Sequence, residues 1–235
     1  MKKYSSPNFN ERSDGRIKYL ILHYTGMASG KEAIDRLCDE AASVSAHYLI
    51  EEDGEVFSLV DENMRAWHAG ISKWEDDEDI NDLSIGIEIV NTGHSYPGYE
   101  SVYSSFPSVQ MDAVNKLALE IVERHKIKRH HVLGHSDVAW RRKIDPGELF
   151  DWERLSENGV GSWPSLLSEI DKRGCEVPDF LKKLKKYGYD VDDSLENPKV
   201  IISAFQRHFR QQNIDGVLDA ETAVILDYLL DQKFN

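Results

Sequence analysis

The sequence predicts an α/β domain, a central mixed β-sheet flanked by helices, followed by a small C-terminal three-helix bundle. Three observations carry this expectation. Two apolar, β-rich runs, residues 17–24 and 84–90, read as buried strands. Strand patterns alternate with helical ones through most of the chain, the arrangement that builds layered α/β domains. After Cys175 the composition shifts to short, lysine-rich helical segments. The expected division is therefore 1–176 and 177–235, and a unit as small as the second has a thin core.

In chain order, residues 17–24 form a strand ending at Thr25-Gly26. Residues 30–41 are helical, with Ile34 and Leu37 on one face. Two short strands, 46–50 and 55–60, flank Asp53-Gly54, a dipeptide suited to a hairpin turn. The acidic stretch 72–82 has no periodicity and reads as a surface loop. In 84–90, alternation puts Ile85, Ile87 and Ile89 on one face, and Gly86 and Glu88 on the other. Residues 93–107 read as a long loop, of the kind that often carries function. Residues 108–126 form an amphipathic helix through Met111, Val114, Leu117, Ala118 and Ile121. Residues 131–135 are a short strand or strand end, and Trp163-Pro164 opens a further helix. The bundle helices span 179–187, 198–210 and 219–231, the last with Asp219 as N-cap.

Composition narrows the function classes. A formal net charge of −14 gives no general attraction to nucleic acid or to an anionic membrane. No apolar run approaches the ~20 residues needed to span a bilayer. Lys2 and Lys3 are not followed by an apolar segment, so a secretory signal is not expected. That favours the cytoplasm; the alternative is the cell envelope, with a signal removed or export by another route. Cys38 and Cys175 form neither a disulfide framework nor a CxxC metal pair, and read as unpaired thiols.

His23 closes the first buried strand, His135 closes a later one, and Asp145 precedes Pro146-Gly147. Two imidazoles and a carboxylate suit a catalytic zinc, with a fourth position open to water. The plainer reading is a pair of hydrogen-bonded structural histidines and a turn-forming aspartate. Glu88 interrupts an apolar strand, where a carboxylate is costly unless paired or functional. Gly86 on the same face leaves room for a ligand. Beside a metal, Glu88 could act as general base; on an edge strand it would simply face solvent. Lys143, two residues before Asp145, could stabilise an oxyanion, or could be one more exposed cation in Arg141-Arg142-Lys143. His47 lies in a strand and is either structural or lines the cleft. Trp67 and His68 either offer an aromatic surface to a ligand or are a packed tryptophan beside a surface histidine. His125, His130, His131 and His208 show no pattern pointing to function.

These segments resemble the type-2 N-acetylmuramoyl-L-alanine amidases, zinc enzymes of the AmpD/AmiD type related to peptidoglycan recognition proteins. The resemblance is carried by Tyr19 to Gly26, Val44 to Ile50, Trp67 to Gly70, Ser84 to Asn91, Gly134 to Ala139 and Arg142 to Gly147, in the family's order, over most of residues 7–170. It implies one zinc held by His23, His135 and Asp145, with Glu88 as catalytic glutamate and Lys143 stabilising the transition state. It implies peptidoglycan or its fragments as substrate, with an intact or a 1,6-anhydro muramyl end. His47 and Asn91 match motif positions near the cleft. Trp140 stands where the family often has proline, which predicts a differently shaped loop and an exposed tryptophan that adds a substrate contact. The segment from Ala204 to Arg210 with Asp215 to Thr222 resembles a three-helix peptidoglycan-binding domain; the alternative is a helical cap on the first domain. The competing function is a recognition protein that holds peptidoglycan without cutting it.

Overall fold

The computed structural model describes residues 1–165 and 175–234. In chain order the strands are β1 (Lys2–Lys3), β2 (Phe9–Glu11), β3 (Tyr19–Tyr24), β4 (Tyr48–Ile50), β5 (Val56–Ser58), β6 (Met64–Ala66), β7 (Ser84–Ile89) and β8 (Val132–Gly134). The α-helices are α1 (Gly30–Leu37), α2 (Ile80–Leu83), α3 (Ser108–His125), α4 (His135–Val138), α5 (Trp152–Glu157), α6 (Val177–Tyr187), α7 (Pro198–Phe209) and α8 (Ala220–Phe234). The main sheet has the order β1-β5-β4-β7-β3-β8, and β2 pairs with β6 apart from it. β3 runs parallel to both β7 and β8, β4 parallel to β7, and β5 antiparallel to β4, so the sheet is mixed as expected.

The central strand β3 is covered on both faces, which is why it reads as a nearly unbroken apolar run. Its Leu20 and Leu22, with Ile85, Ile87 and Ile89 of β7, pack against Met111, Val114, Leu117 and Ile121 of α3. On the other face, Tyr19 and Ile21 join a cluster with Phe180, Leu184, Phe205, Phe209 and Leu226 from α6, α7 and α8. The C-terminal helices thus share one apolar cluster with the sheet. Further across that second face, Ile34 and Leu37 of α1 cover Leu49 and Phe57. Between these two clusters the register aligns Leu49, Glu88 and His23 in one cross-strand row, so their side chains share a face.

The hairpin at Asp53-Gly54 forms, with strands shorter than the sequence suggests. β1, β2 and β6 are two or three residues long, too short to leave a periodic signal. His47 lies just before β4 rather than in a strand, and α2 begins within the stretch read as loop. The helix expected after Trp163-Pro164 falls largely on 166–174, outside the described residues. Asp219 caps α8 as expected, its Oδ1 accepting from the Thr222 N–H at 2.9 Å. Cys38 and Cys175 are free. Among the described residues no helix is long and apolar enough to cross a membrane.

Phe205 is fully buried where α7 meets the shared cluster. Phe205→Ala should cost about 3–5 kcal/mol. Because the cluster is continuous, denaturant melts followed by far-UV circular dichroism and by tryptophan fluorescence should shift together.

Candidate metal centre

The ladder between β3 and β8 ends with Leu22 paired to Gly134, so the next residues, His23 and His135, emerge at the same level. The loop after α4 brings Asp145 between them. His23 Nδ1, His135 Nδ1 and Asp145 Oδ2 lie 3.0 Å from one another in all three pairings. All three side chains are buried. This is the carboxyl end of parallel strands, the usual place for a site in such sheets.

The surroundings fix which atoms carry protons. Ser84 donates its hydroxyl to the Ile80 carbonyl at 2.6 Å, so it accepts from His68 Nε2 at 3.1 Å. His68 Nδ1 is then an acceptor, and the group facing it at 3.0 Å, His23 Nε2, must be the donor. On the other side, His135 Nε2 faces the Ala69 carbonyl at 3.0 Å and must donate. Both Nδ1 atoms therefore present lone pairs to each other and to a carboxylate oxygen. Three acceptors 3.0 Å apart repel unless a cation lies between them. A proton fills this role poorly at neutral pH: burial, then the neighbouring His135, pushes His23 down to about 4. Donors held ~2.0–2.1 Å from a tetrahedral ion stand about 3.3 Å apart, close to the spacing here. The donor set fits a metal, and its orientation by outer hydrogen bonds is the usual design of such sites.

Glu88, beside His23 in the sheet, is half-buried; its Oε2 is enclosed and has no hydrogen-bond partner among the described residues. Burial, then the Asp145 carboxylate, pushes Glu88 up to about 8, while Lys143 pulls it back. Both Glu88 and Lys143 line a cavity of about 640 Å³ that opens onto the His23, His135 and Asp145 triangle.

The other sequence candidates divide. Trp67 and His68 line the cavity. His68 is no surface residue, since it orients His23. Gly86 has a different use from the one expected: a Cβ there would stand 2.5 Å from His68 Cγ, so the glycine makes room for that ring and not for a ligand. His47 is fully buried, with Nδ1 accepting from the Gly86 N–H and Nε2 facing the Met64 carbonyl, so it ties strands together away from the cleft. Asn91 is buried and spans a loop, donating to the Ser104 carbonyl and accepting from the Gly93 N–H. Trp140 is corrected: it is not an exposed platform but is 8% exposed, packed in the shared cluster with its indole N–H donating to the Asp190 carbonyl. Its large apolar ring gains more from burial than from the solvent.

Sequence reasoning missed three groups. Tyr24 and His94 line the cavity from β3 and the long loop, joined by a 3.2 Å contact; no spacing marks a lone loop histidine. Asp137, in the turn that begins with His135, is completely buried and accepts from the Gly134 N–H at 2.7 Å, Tyr189 Oη at 2.6 Å and His208 Nδ1 at 2.7 Å. The C-terminal part of the chain therefore clasps the turn that carries His135. A second cluster, Glu75, His130 and His131, has ligand-like spacing. There Glu75 already binds the ammonium groups of Lys18 and Lys233, which take the place of a metal.

Comparison with known proteins agrees with this geometry. Residues 13–148 match the family described as N-acetylmuramoyl-L-alanine amidase. The chain is 36% identical to the N-acetylmuramoyl-L-alanine amidase AmiD of Escherichia coli over 92% of this chain and 83% of that protein. It is 31% identical to the 1,6-anhydro-N-acetylmuramyl-L-alanine amidase AmpD of Haemophilus influenzae over 65% of this chain and 89% of that protein. Among solved structures, the complex of Escherichia coli AmiD with anhydro-N-acetylmuramic acid-L-Ala-D-γ-Glu-L-Lys superposes with a TM-score of 0.83 at 33% identity, covering 96% of this chain and 98% of that one. AmpDh3 of Pseudomonas aeruginosa gives a TM-score of 0.84 at 32% identity, covering 100% and 99%.

The outer hydrogen bonds make a direct prediction. Gly86→Ala should displace His68 and His68→Ala should free His23, each weakening metal affinity by about 10–100-fold. Competition with a chromophoric chelator measures this without any substrate.

Proposed function

The chain belongs to the N-acetylmuramoyl-L-alanine amidase family, and from that premise we propose how its own residues carry out the reaction. The reaction is hydrolysis of the amide between N-acetylmuramic acid, intact or 1,6-anhydro, and the L-alanine that begins the peptidoglycan stem peptide. The observation that carries the reading is the meeting of three lone pairs, from His23, His135 and Asp145, beside the unpartnered carboxylate of Glu88.

His23, His135 and Asp145 would hold one zinc ion, two imidazoles and a carboxylate being a donor set suited to a catalytic zinc. Bound zinc supplies Lewis acidity at neutral pH, toward water and toward the amide carbonyl. Glu88 takes a proton from the attacking water as the carbon–oxygen bond forms. An enclosed carboxylate with no other hydrogen-bond partner among the described residues, next to His23 in the sheet, is placed for this transfer. The same carboxyl then gives the proton to the nitrogen of L-alanine as the carbon–nitrogen bond breaks. Lys143 lines the cavity without a carboxylate partner among the described residues, and its ammonium is available to the oxygen on which negative charge develops. His68 and Ser84 hold His23 in the ligating tautomer throughout.

The alternative, a protein that binds peptidoglycan without cleaving it, has no use for a complete donor set with an enclosed, unpaired glutamate next to it. The relatives with bound ligands point to the same substrate class, AmiD with an anhydromuramyl tripeptide and AmpDh3 with an anhydromuramic pentapeptide.

Chelation should abolish release of free stem peptide from muropeptides, and zinc should restore it, as read by mass spectrometry. Glu88→Gln should retain zinc and lower kcat by about 10²–10⁴-fold. Lys143→Ala should lower it by about 10²–10³-fold. Wild-type turnover in zinc-loaded Glu88→Gln would contradict the assignment.

A further inference from the structure

We propose that a basic groove beside the metal centre, built jointly by residues 140–144 and helix α7, binds the carboxylates of the stem peptide beyond the scissile amide. The inference rests on the amidase reading above and gives the cleft a direction.

A second cavity, of about 460 Å³, is lined by Arg141, Arg142, Lys143, Lys199, Ser203 and Arg207, among others. Arg142, Lys143 and Ile144 line both this groove and the metal-centre cavity, so the two are neighbours that share one stretch of wall. Five cations along one groove run against a chain whose net charge is −14. Arg141 is satisfied by Asp190 at 2.6 Å. The others are not satisfied in this way. Arg142 donates to the backbone carbonyls of Ala69 and Ile71, which orient the guanidinium and leave its charge in place. Arg207 Nε lies 3.6 Å from Glu148 Oε2, an ion pair without a hydrogen bond, so its charge is only partly offset. Lys143 and Lys199 have no ion pair among the described residues. A concave wall with five cations and two carboxylate partners keeps an excess of positive charge, which concentrates anions, and guanidinium groups favour carboxylates.

The opposite side of the cleft is different. There α1 and the loop before it contribute Met27 and Leu37 with a single cation, Arg36, and Trp67 and Tyr96 line the same cavity. The two ends of the substrate differ in the same sense. In the ligand held by AmiD, the γ linkage of D-glutamate leaves that residue's α-carboxylate free, and the terminal lysine carries another beside its ε-ammonium, so the peptide keeps a net negative charge. The sugar, its lactyl carboxyl consumed in the amide, is uncharged. With the amide at the metal centre, the anionic peptide runs toward α7 and the sugar toward the aromatic side. The C-terminal helices then touch substrate through Lys199, Ser203 and Arg207.

The test is calorimetric titration of the free tripeptide L-Ala-D-γ-Glu-L-Lys, and of the same peptide with both carboxyls amidated, into the zinc-loaded full chain. Variants are Lys199→Glu, Arg207→Gln and, as a control carrying the same charge change on α6 outside the groove, Lys182→Glu; thermal melts check that each is folded. The carboxylate peptide should bind Lys199→Glu about tenfold more weakly than wild type, and Arg207→Gln severalfold more weakly, with Lys182→Glu unchanged. The amidated peptide should bind weakly throughout. Equal affinity of wild type, Lys199→Glu and Arg207→Gln for the carboxylate peptide overturns the groove. So does failure of the wild type to bind that peptide while muropeptides are still cleaved, which leaves the amidase reading standing. Groove-dependent peptide binding by a chain that cleaves no muropeptide has the reverse meaning.

Discussion

The structure depends on one electrostatic constraint: two imidazole nitrogens and a carboxylate oxygen, each with a lone pair facing inward, are held 3.0 Å apart in a buried place. Such an arrangement is unfavourable without a cation and strongly favourable with one. What prevents it from relaxing is the hydrogen bonding on the far side of each ring. The Ile80 carbonyl sets Ser84, Ser84 sets His68, and His68 sets His23, while the Ala69 carbonyl sets His135. Flipping or reprotonating either ring would leave a buried donor or acceptor unmatched, at a cost of about 1–3 kcal/mol for each group.

The fold supplies the platform for this. The pairing of parallel strands β3 and β8 ends at Leu22 and Gly134, so His23 and His135, far apart in sequence, emerge side by side. β7 on the other flank of β3 puts Glu88 next to His23. The second face of the sheet is filled by the C-terminal helices at one end and by α1 at the other, and α1 also lines the cavity at the site. The C-terminal helices also reach the ligand turn itself, through the bonds of Tyr189 and His208 to Asp137. Metal centre and bundle are mechanically joined, whatever the bundle binds on its own account.

How much of this could be read in the sequence follows from how local each signal is. Strands β3 and β7 and helix α3 were legible because each carries its own periodicity. Glu88 was conspicuous because a carboxylate in an isoleucine strand violates that periodicity. The tautomer relay was not legible, because His68 and Ser84 are linked only through the folded sheet. Gly86 was noticed for the space it leaves, but the occupant of that space, the His68 ring, is a tertiary fact. Trp140 was misplaced for a related reason: a tryptophan among arginines looks exposed until α6 to α8 arrive to cover it. The bundle's signature residues proved to serve the turn between α7 and α8. Gln206 binds the Gly216 N–H, and the fully buried Arg210 pairs with Asp215 and Asp219. Residues that fix a turn identify a fold and are silent on its ligand.

The most direct test of the central claim is crystallographic: anomalous scattering measured on either side of the zinc absorption edge, from crystals of the zinc-loaded chain. One strong peak should lie within bonding distance of His23 Nδ1, His135 Nδ1 and an Asp145 oxygen, with the Nε2 atoms still turned toward His68 and Ala69. A peak contacting either ring through Nε2, or zinc held at Glu75, His130 and His131 with the first site empty, would contradict it.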